Sequence, residues 1–239
     1  MQTLFAMDNY PKSYASTKDG DYRLKDYLDL DEADLEKLND ALFELCIEHG
    51  DATAPITEYK GLTYIDSGWE WSVFQKDSNT VLKIPAGIFA EVNDPHYLTN
   101  TEETYKKILA CYPAEFVAKT SFRREDSLNM MEQEFILGES EFKVDLSSHD
   151  HELLRNFRIF LEGTLKLAQD YDWLADYWLT ETPEGIFVRN VVLEEKSKLF
   201  KVIDFGQYLD PSRMYPQRKD AVITRQIKHI QKLLAHLDA

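Results

Sequence analysis

Between residues 59 and 135 the sequence spells strand, turn, strand, turn, strand, then one helix, then two more strands. The first three lie in GLTYIDSGWEWSVFQKDSNTVLKIP, residues 61–85, where β-branched and aromatic residues recur between polar ones. Asp77, Ser78 and Asn79 punctuate that run with side chains that tolerate tight turns. A helical stretch over residues 100–111 follows, ended by Pro113. Residues 115–122 and 128–135 read as the fourth and fifth strands. Five strands with a single helix between the third and fourth is a particular arrangement, and it divides the chain into three parts.

The first part, residues 1–58, is an arm and a helical extension. Residues 1–28 are polar and Tyr-rich without a period. From Asp31 the pattern turns helical, with Leu35, Leu38, Leu42 and Leu45 at three- and four-residue steps, a stop at Gly50 and a cap at Asp29 or Asp31. The second part, residues 59–135, is the sheet with its helix. The third, residues 136–239, reads as mostly helical. Leu153, Leu154, Phe157, Phe160, Leu161, Leu165 and Leu167 form an amphipathic run over residues 149–171, with Ser147 or Ser148 as its cap. Residues 186–193 and 199–203 alternate as a hairpin around a polar loop at 194–198. Residues 218–237 form a last helix with Val222, Ile223, Ile227, Ile230, Leu233 and Leu234 on one side.

Charge narrows the partners. The chain of 239 residues carries 27 basic and 43 acidic side chains, a formal net charge of −16. Such a surface repels phosphate backbones and anionic lipid heads, so neither nucleic acid nor a membrane is expected. The ordinary reading is a solvated acidic surface, and the sharper ones are a docking face for a basic protein or mimicry of a nucleic acid's charge. Cys46 and Cys111 stand far apart and make neither a disulfide framework nor a metal pattern. Read as buried free thiols, they point to a reducing cytoplasm. The N-terminal MQTLFAMDNYPKSY is not a signal peptide, and no apolar run reaches the roughly 20 residues of a membrane helix. His149-Asp150-His151 has the composition of a metal patch, but a polar helix start is its ordinary reading.

Four features carry chemistry. Lys83, in Val81-Leu82-Lys83-Ile84, points to the opposite face of its strand from its apolar neighbours Leu82 and Ile84. Gly68 and Val73 lie upstream, where one glycine lets the backbone approach a phosphate. Glu103, with Glu102 as competitor, sits on the helix and is placed to pair with Lys83. Asp204-Phe205-Gly206 follows an apolar strand, and Asn190 lies 14 residues earlier, so a hairpin brings both to one end. Asp and Asn oxygens are hard ligands suited to Mg²⁺, which takes phosphates and water as its other ligands.

Taken together, these residues resemble the protein-kinase superfamily over residues 59–210. Gly68 and Val73 are similar to the second glycine and the valine of the glycine-rich loop. Residues 81–84 resemble the V-A-I-K strand, and Glu103 the helix glutamate that pairs with its lysine. Met131 falls near the gatekeeper, with Glu132 and its neighbours as the hinge that bonds adenine. Asn190 resembles the metal-binding asparagine and Asp204 the aspartate of D-F-G. The resemblance implies an α+β, two-lobed protein-kinase-like fold: a five-stranded antiparallel first lobe plus one helix, and a truncated, mostly helical second lobe. It implies ATP and Mg²⁺ as cofactors and γ-phosphoryl transfer to a hydroxyl on a protein or small molecule.

The sequence also departs from that family. Counting back from Asn190, the catalytic aspartate of H-R-D-x-x-x-x-N falls on Gly185. Glu184, adjoining it, ranks first as a substitute base, followed by Glu181 and Asp176. Asp66 and Trp71 replace the first and third glycines of the loop, and Trp69 and Trp71 either cap the site or plug it. Only 33 residues follow Gly206, and no A-P-E segment is recognisable among them. A pseudokinase acting as a protein-interaction module therefore stands beside the enzyme. A transferase moving AMP is a third reading.

Overall fold

The fold is given by a computed structural model, which describes residues 56–68, 70–86, 90–173, 179–183, 185–205 and 216–238. The helix expected from Asp31 and Cys46 lie outside these residues. The architecture is α+β. Strands β1 (Thr63–Ser67), β2 (Trp71–Gln75), β3 (Thr80–Pro85), β4 (Thr120–Glu125) and β5 (Leu128–Glu134) form one antiparallel sheet in the order β1-β2-β3-β5-β4. Helix α1 (Pro95–Cys111) connects β3 to β4. It starts five residues before the expected position because Asp94 caps it, its Oδ1 accepting from the His96 N–H at 2.7 Å, and Pro95 occupies the first turn. The expected fourth strand begins later, at Thr120, because residues 114–116 close a 3-10 turn after Pro113.

The second half holds more strand than its hydrophobic pattern suggested. Strands β6 (Gly138–Val144), β7 (Thr180–Thr182), β8 (Gly185–Glu194) and β9 (Phe200–Val202) make an antiparallel sheet in which β6 covers one edge of β8. On the opposite edge of β8, β7 pairs with residues 185–187 and β9 with residues 191–193. The hairpin of β8 and β9 follows the expected pattern; β6 and β7 add strands that were not expected, in a half where helix still predominates among the described elements. Helix α2 (His151–Tyr171) is capped by Asp150, whose Oδ1 accepts from the Leu153 N–H at 3.0 Å. This replaces the expected serine cap and explains the His149-Asp150-His151 cluster as a helix start. Helix α3 (Pro216–Leu237) packs on α2.

The core lies between the second sheet and α2. Phe160 is fully buried and stacks on Phe200 at a centroid distance of 5.5 Å, while Phe157 lies 5.3 Å from Phe200. Tyr112 carries the end of α1 into this core. Its hydroxyl pairs with Thr164 Oγ1 at 2.7 Å, and its ring fills the space left by Gly163, where a Cβ would stand 2.3 Å from it. A smaller cluster of Phe74, Leu82, Ile84 and Met130 covers the other face of the first sheet. Residues 135–137 join the two sheets, and Ala118 N–H donates to Val202 O at 3.0 Å beside them. Cys111 is only half-buried, which corrects the expectation of a buried thiol. Among the described residues no helix is long and apolar enough to cross a membrane.

Candidate functional site

Lys83 stands on β3 directly opposite Val73 of β2 and Met131 of β5. Side chains alternate along a strand. Leu82 and Ile84 therefore turn to the outer cluster, and Lys83 turns toward the second sheet. It is 9% exposed, and its Nζ donates to the carbonyl of Ile203 at 2.9 Å. Asp204 is the next residue. Burial pushes the Lys83 ammonium below its ordinary pKa, and the negative charges of Asp204 and Glu70 pull it back up.

Asn190 reaches the same place from β8. The ladder pairs Val191 with Val202, so Asn190 adjoins the end of β9 at Ile203 and Asp204. The partner strand β6 advances two residues there, from Glu139 to Glu141, while β8 covers four, from Leu193 to Arg189. The extra residues form a bulge, and Asn190 takes a left-handed backbone at φ 63° within it. Asn190 and Asp204 are both half-buried. Phe205 is buried and holds the segment by its ring, 4.9 Å from Tyr105 and 6.2 Å from Phe122. Asp204, whose charge reaches the buried ammonium, and Asn190, which adjoins it on the hairpin, carry the oxygens that could hold Mg²⁺ on phosphates. A cage made of protein alone is not offered, since no group of three His, Cys, Asp or Glu among the described residues is placed to hold a metal.

Other expected site residues are placed differently. Gly68 is exposed in the three-residue loop between β1 and β2, its N–H donating to Trp71 O at 3.0 Å. Val73 shares the Lys83 face and is half-buried. Trp71 is buried against Tyr97, at 6.2 Å, and Asp66 is exposed and accepts from the Ser67 N–H at 2.8 Å. Trp69 and Gly206 lie outside the described residues. The expected pair of Lys83 with Glu103 is corrected: Glu103 is exposed, because α1 turns Leu98, Thr104 and Ile108 inward and Glu103 falls one position off that stripe. The acidic charges that reach Lys83 come from Asp204 and Glu70.

The hinge is corrected too. Strand β5 lies between β3 and β4, so the backbones of Met131 and Glu132 belong to the ladders on both sides. Met131 keeps its buried side chain on the Lys83 face. Glu132 points to the other face and pairs with Lys76 at 2.7 Å and Arg123 at 2.6 Å. The connecting backbone begins three residues later, at residues 135–137.

The backbone at Gly185, where the resemblance would put an aspartate, leaves no room for a side chain. Gly185 has φ 134°, and a Cβ there would stand 2.4 Å from Val144 O. Strand β8 runs without interruption from Gly185 through Asn190. At about 3.3 Å per residue, the two are separated by roughly 16 Å of extended chain. A side chain at Gly185 is thus both sterically excluded and remote from Asp204. Gly185→Asp is expected to cost about 2 kcal/mol or more in stability, measured by urea denaturation. Glu184 and Asp176 lie outside the described residues. Glu181, on β7, accepts from Lys232 at 2.7 and 2.9 Å, and that bond holds its carboxyl below the usual range.

Two residues of the site were not anticipated. Glu70 gave no signal in the sequence. Gln133 did: it stands two residues after Met131 on β5 and therefore shares the Lys83 face. It is 2% exposed, and its Nε2 donates to Ile203 O at 3.0 Å and Thr120 Oγ1 at 3.0 Å.

No protein-family model matches the sequence, and no curated protein matches it. Among solved structures the chain is similar to the Legionella pneumophila Lpg2603 kinase bound to IP6, at 12% identity and a TM-score of 0.42. The match covers 73% of this chain and 57% of that one, so the chain spans less than two thirds of that kinase's length. A likeness of this degree establishes no activity. The kinase-like reading rests on the residues around Lys83 themselves.

Proposed function

We propose that the chain binds ATP with Mg²⁺ in a two-lobed, kinase-like arrangement and transfers the γ-phosphoryl group to a hydroxyl acceptor on a protein or small molecule. One observation supports this reading above others: a buried lysine from the first sheet reaches the residue preceding Asp204, on the hairpin that also carries Asn190. A buried ammonium is costly unless it has a counter-charge. Two carboxylates whose charges act on one buried lysine suit a ligand that brings both phosphate and metal. In this reading Lys83 leaves the Ile203 carbonyl to hold the α/β-phosphates, and Asn190 and Asp204 hold Mg²⁺. Mg²⁺ so bound supplies neutralising charge to the phosphates. Gly68 and Val73 cover the nucleotide, and the backbone of residues 135–137 takes the adenine.

Phosphoryl transfer depends mainly on positioning and charge, so the missing aspartate slows the reaction without forbidding it. A general base is commonly worth about 10²–10⁴-fold, and the proposed enzyme is slow by that order. The second reading is a pseudokinase that binds nucleotide and docks a basic protein on its acidic surface. The excluded side chain at Gly185 favours it.

Incubation with γ-labelled ATP and Mg²⁺ separates the two. The enzyme reading expects label on an acceptor, or on the chain itself, with wild type and none with Lys83→Ala or Asp204→Asn. Nucleotide binding without transfer selects the module. Absence of any nucleotide-dependent rise in melting temperature overturns both.

A further inference from the structure

The carbonyl of Ile203 accepts two hydrogen bonds, from Lys83 Nζ at 2.9 Å and Gln133 Nε2 at 3.0 Å. A carbonyl oxygen has two lone pairs and accommodates both. The two donors differ in what else they can do. Lys83 carries a charge that a phosphate attracts. Gln133 is neutral and almost wholly buried, and the second hydrogen of its amide is fixed on Thr120 Oγ1 at 3.0 Å. Thr120 is anchored in turn: its hydroxyl donates to Ala118 O at 2.9 Å and its N–H to the Tyr105 hydroxyl at 3.2 Å. Tyr105 packs against Phe205, the residue after Asp204. Asp204 is thus bracketed by a carbonyl held from β5 and a ring held from α1.

We infer that Gln133 is a positioning residue for metal binding: it keeps the Ile203 carbonyl bonded, and so keeps Asp204 in place, when Lys83 turns from that carbonyl to the nucleotide phosphates. This rests on the nucleotide reading above. Without Gln133, the departure of Lys83 would leave a part-buried acceptor without both of these donors. That penalty would fall on the state with metal and phosphate bound. The consequence is a division of labour. Lys83 serves the phosphates, and Gln133 preserves the geometry that Lys83 shares in the nucleotide-free protein.

The test is a Mg²⁺ titration at fixed, saturating nucleotide, read by melting temperature, on wild type and on Gln133→Leu, with Gln133→Met as a second variant should Leu fail to fold. A parallel titration with nucleotide and EDTA measures metal-free affinity. The expected result is a Mg²⁺ midpoint raised about tenfold or more, with metal-free nucleotide affinity changed less than about threefold, roughly one unsatisfied hydrogen bond being at stake. A merely structural role would weaken both equally or neither. An unchanged Mg²⁺ midpoint, or an equal loss in both titrations, overturns the inference alone. A wild-type protein that answers neither titration overturns the nucleotide reading and this inference with it.

Discussion

If the proposed function holds, Asp204→Ala is expected to abolish the stabilisation that ATP with Mg²⁺ gives the wild-type chain. The expected size follows from mass action. A ligand at 100 times its dissociation constant stabilises the folded state by about 2.7 kcal/mol. For a domain of this size each kcal/mol moves the melting temperature by about 2–4 °C, so the wild type is expected to gain about 5–10 °C. In the variant the metal loses its carboxylate, and Asn190 alone is a poor ligand for a hard cation. Lys83 also loses one of the two negative charges that offset its burial. Differential scanning fluorimetry with ATP alone, ATP with Mg²⁺, and neither checks the claim. A variant that keeps the full Mg²⁺-dependent shift excludes Asp204 as a metal ligand.

Phe160→Ala is expected to be the most damaging single truncation in the described core. Phe160 has no exposed surface, stacks on Phe200 with planes 19° apart, and lies 6.1 Å from the ring of Tyr112. Removing a buried phenyl group leaves a cavity that neighbouring rings cannot fill, at a cost of about 3–5 kcal/mol. Whole domains are stable by only about 5–15 kcal/mol, so a large share of the fold's stability goes with it. The urea midpoint should fall with little change in slope. A loss under about 1 kcal/mol would mean that the packing of α2 on β9 is not as described. The change lies in the core, so under the proposed function the protein that remains folded is expected to keep the nucleotide response, which separates this effect from that of Asp204→Ala.

The sequence was most legible where a periodic pattern and a chemical requirement coincided. Lys83 between Leu82 and Ile84 disclosed its face because strand alternation leaves a single choice. The spacing of Asn190 and Asp204 disclosed their hairpin because apolar strands flank both. Glu103 misled because the inward stripe of α1 is carried partly by Thr104, a polar residue that pattern reading does not count as core. Strand β6, GESEFKV, was hidden because its first four residues are exposed and only Phe142 and Val144 show alternation. The hinge was misplaced because β5 gains partners on both edges, a tertiary fact that no local pattern records. Gln133 was within reach: a polar residue in step with Lys83's neighbours on a buried strand has to find a hydrogen-bond partner.

The backbone of Asn190 bears on how its role can be dissected. The Cβ of an ordinary L-residue held at φ 63° meets a steric penalty of about 1–2 kcal/mol that asparagine partly offsets and glycine avoids. Alanine at this site would therefore strip away an oxygen and strain the main chain together, and its effect would exaggerate the importance of the amide. Glycine deletes the oxygen while leaving the dihedral comfortable, so the difference between the two substitutions separates coordination from conformation.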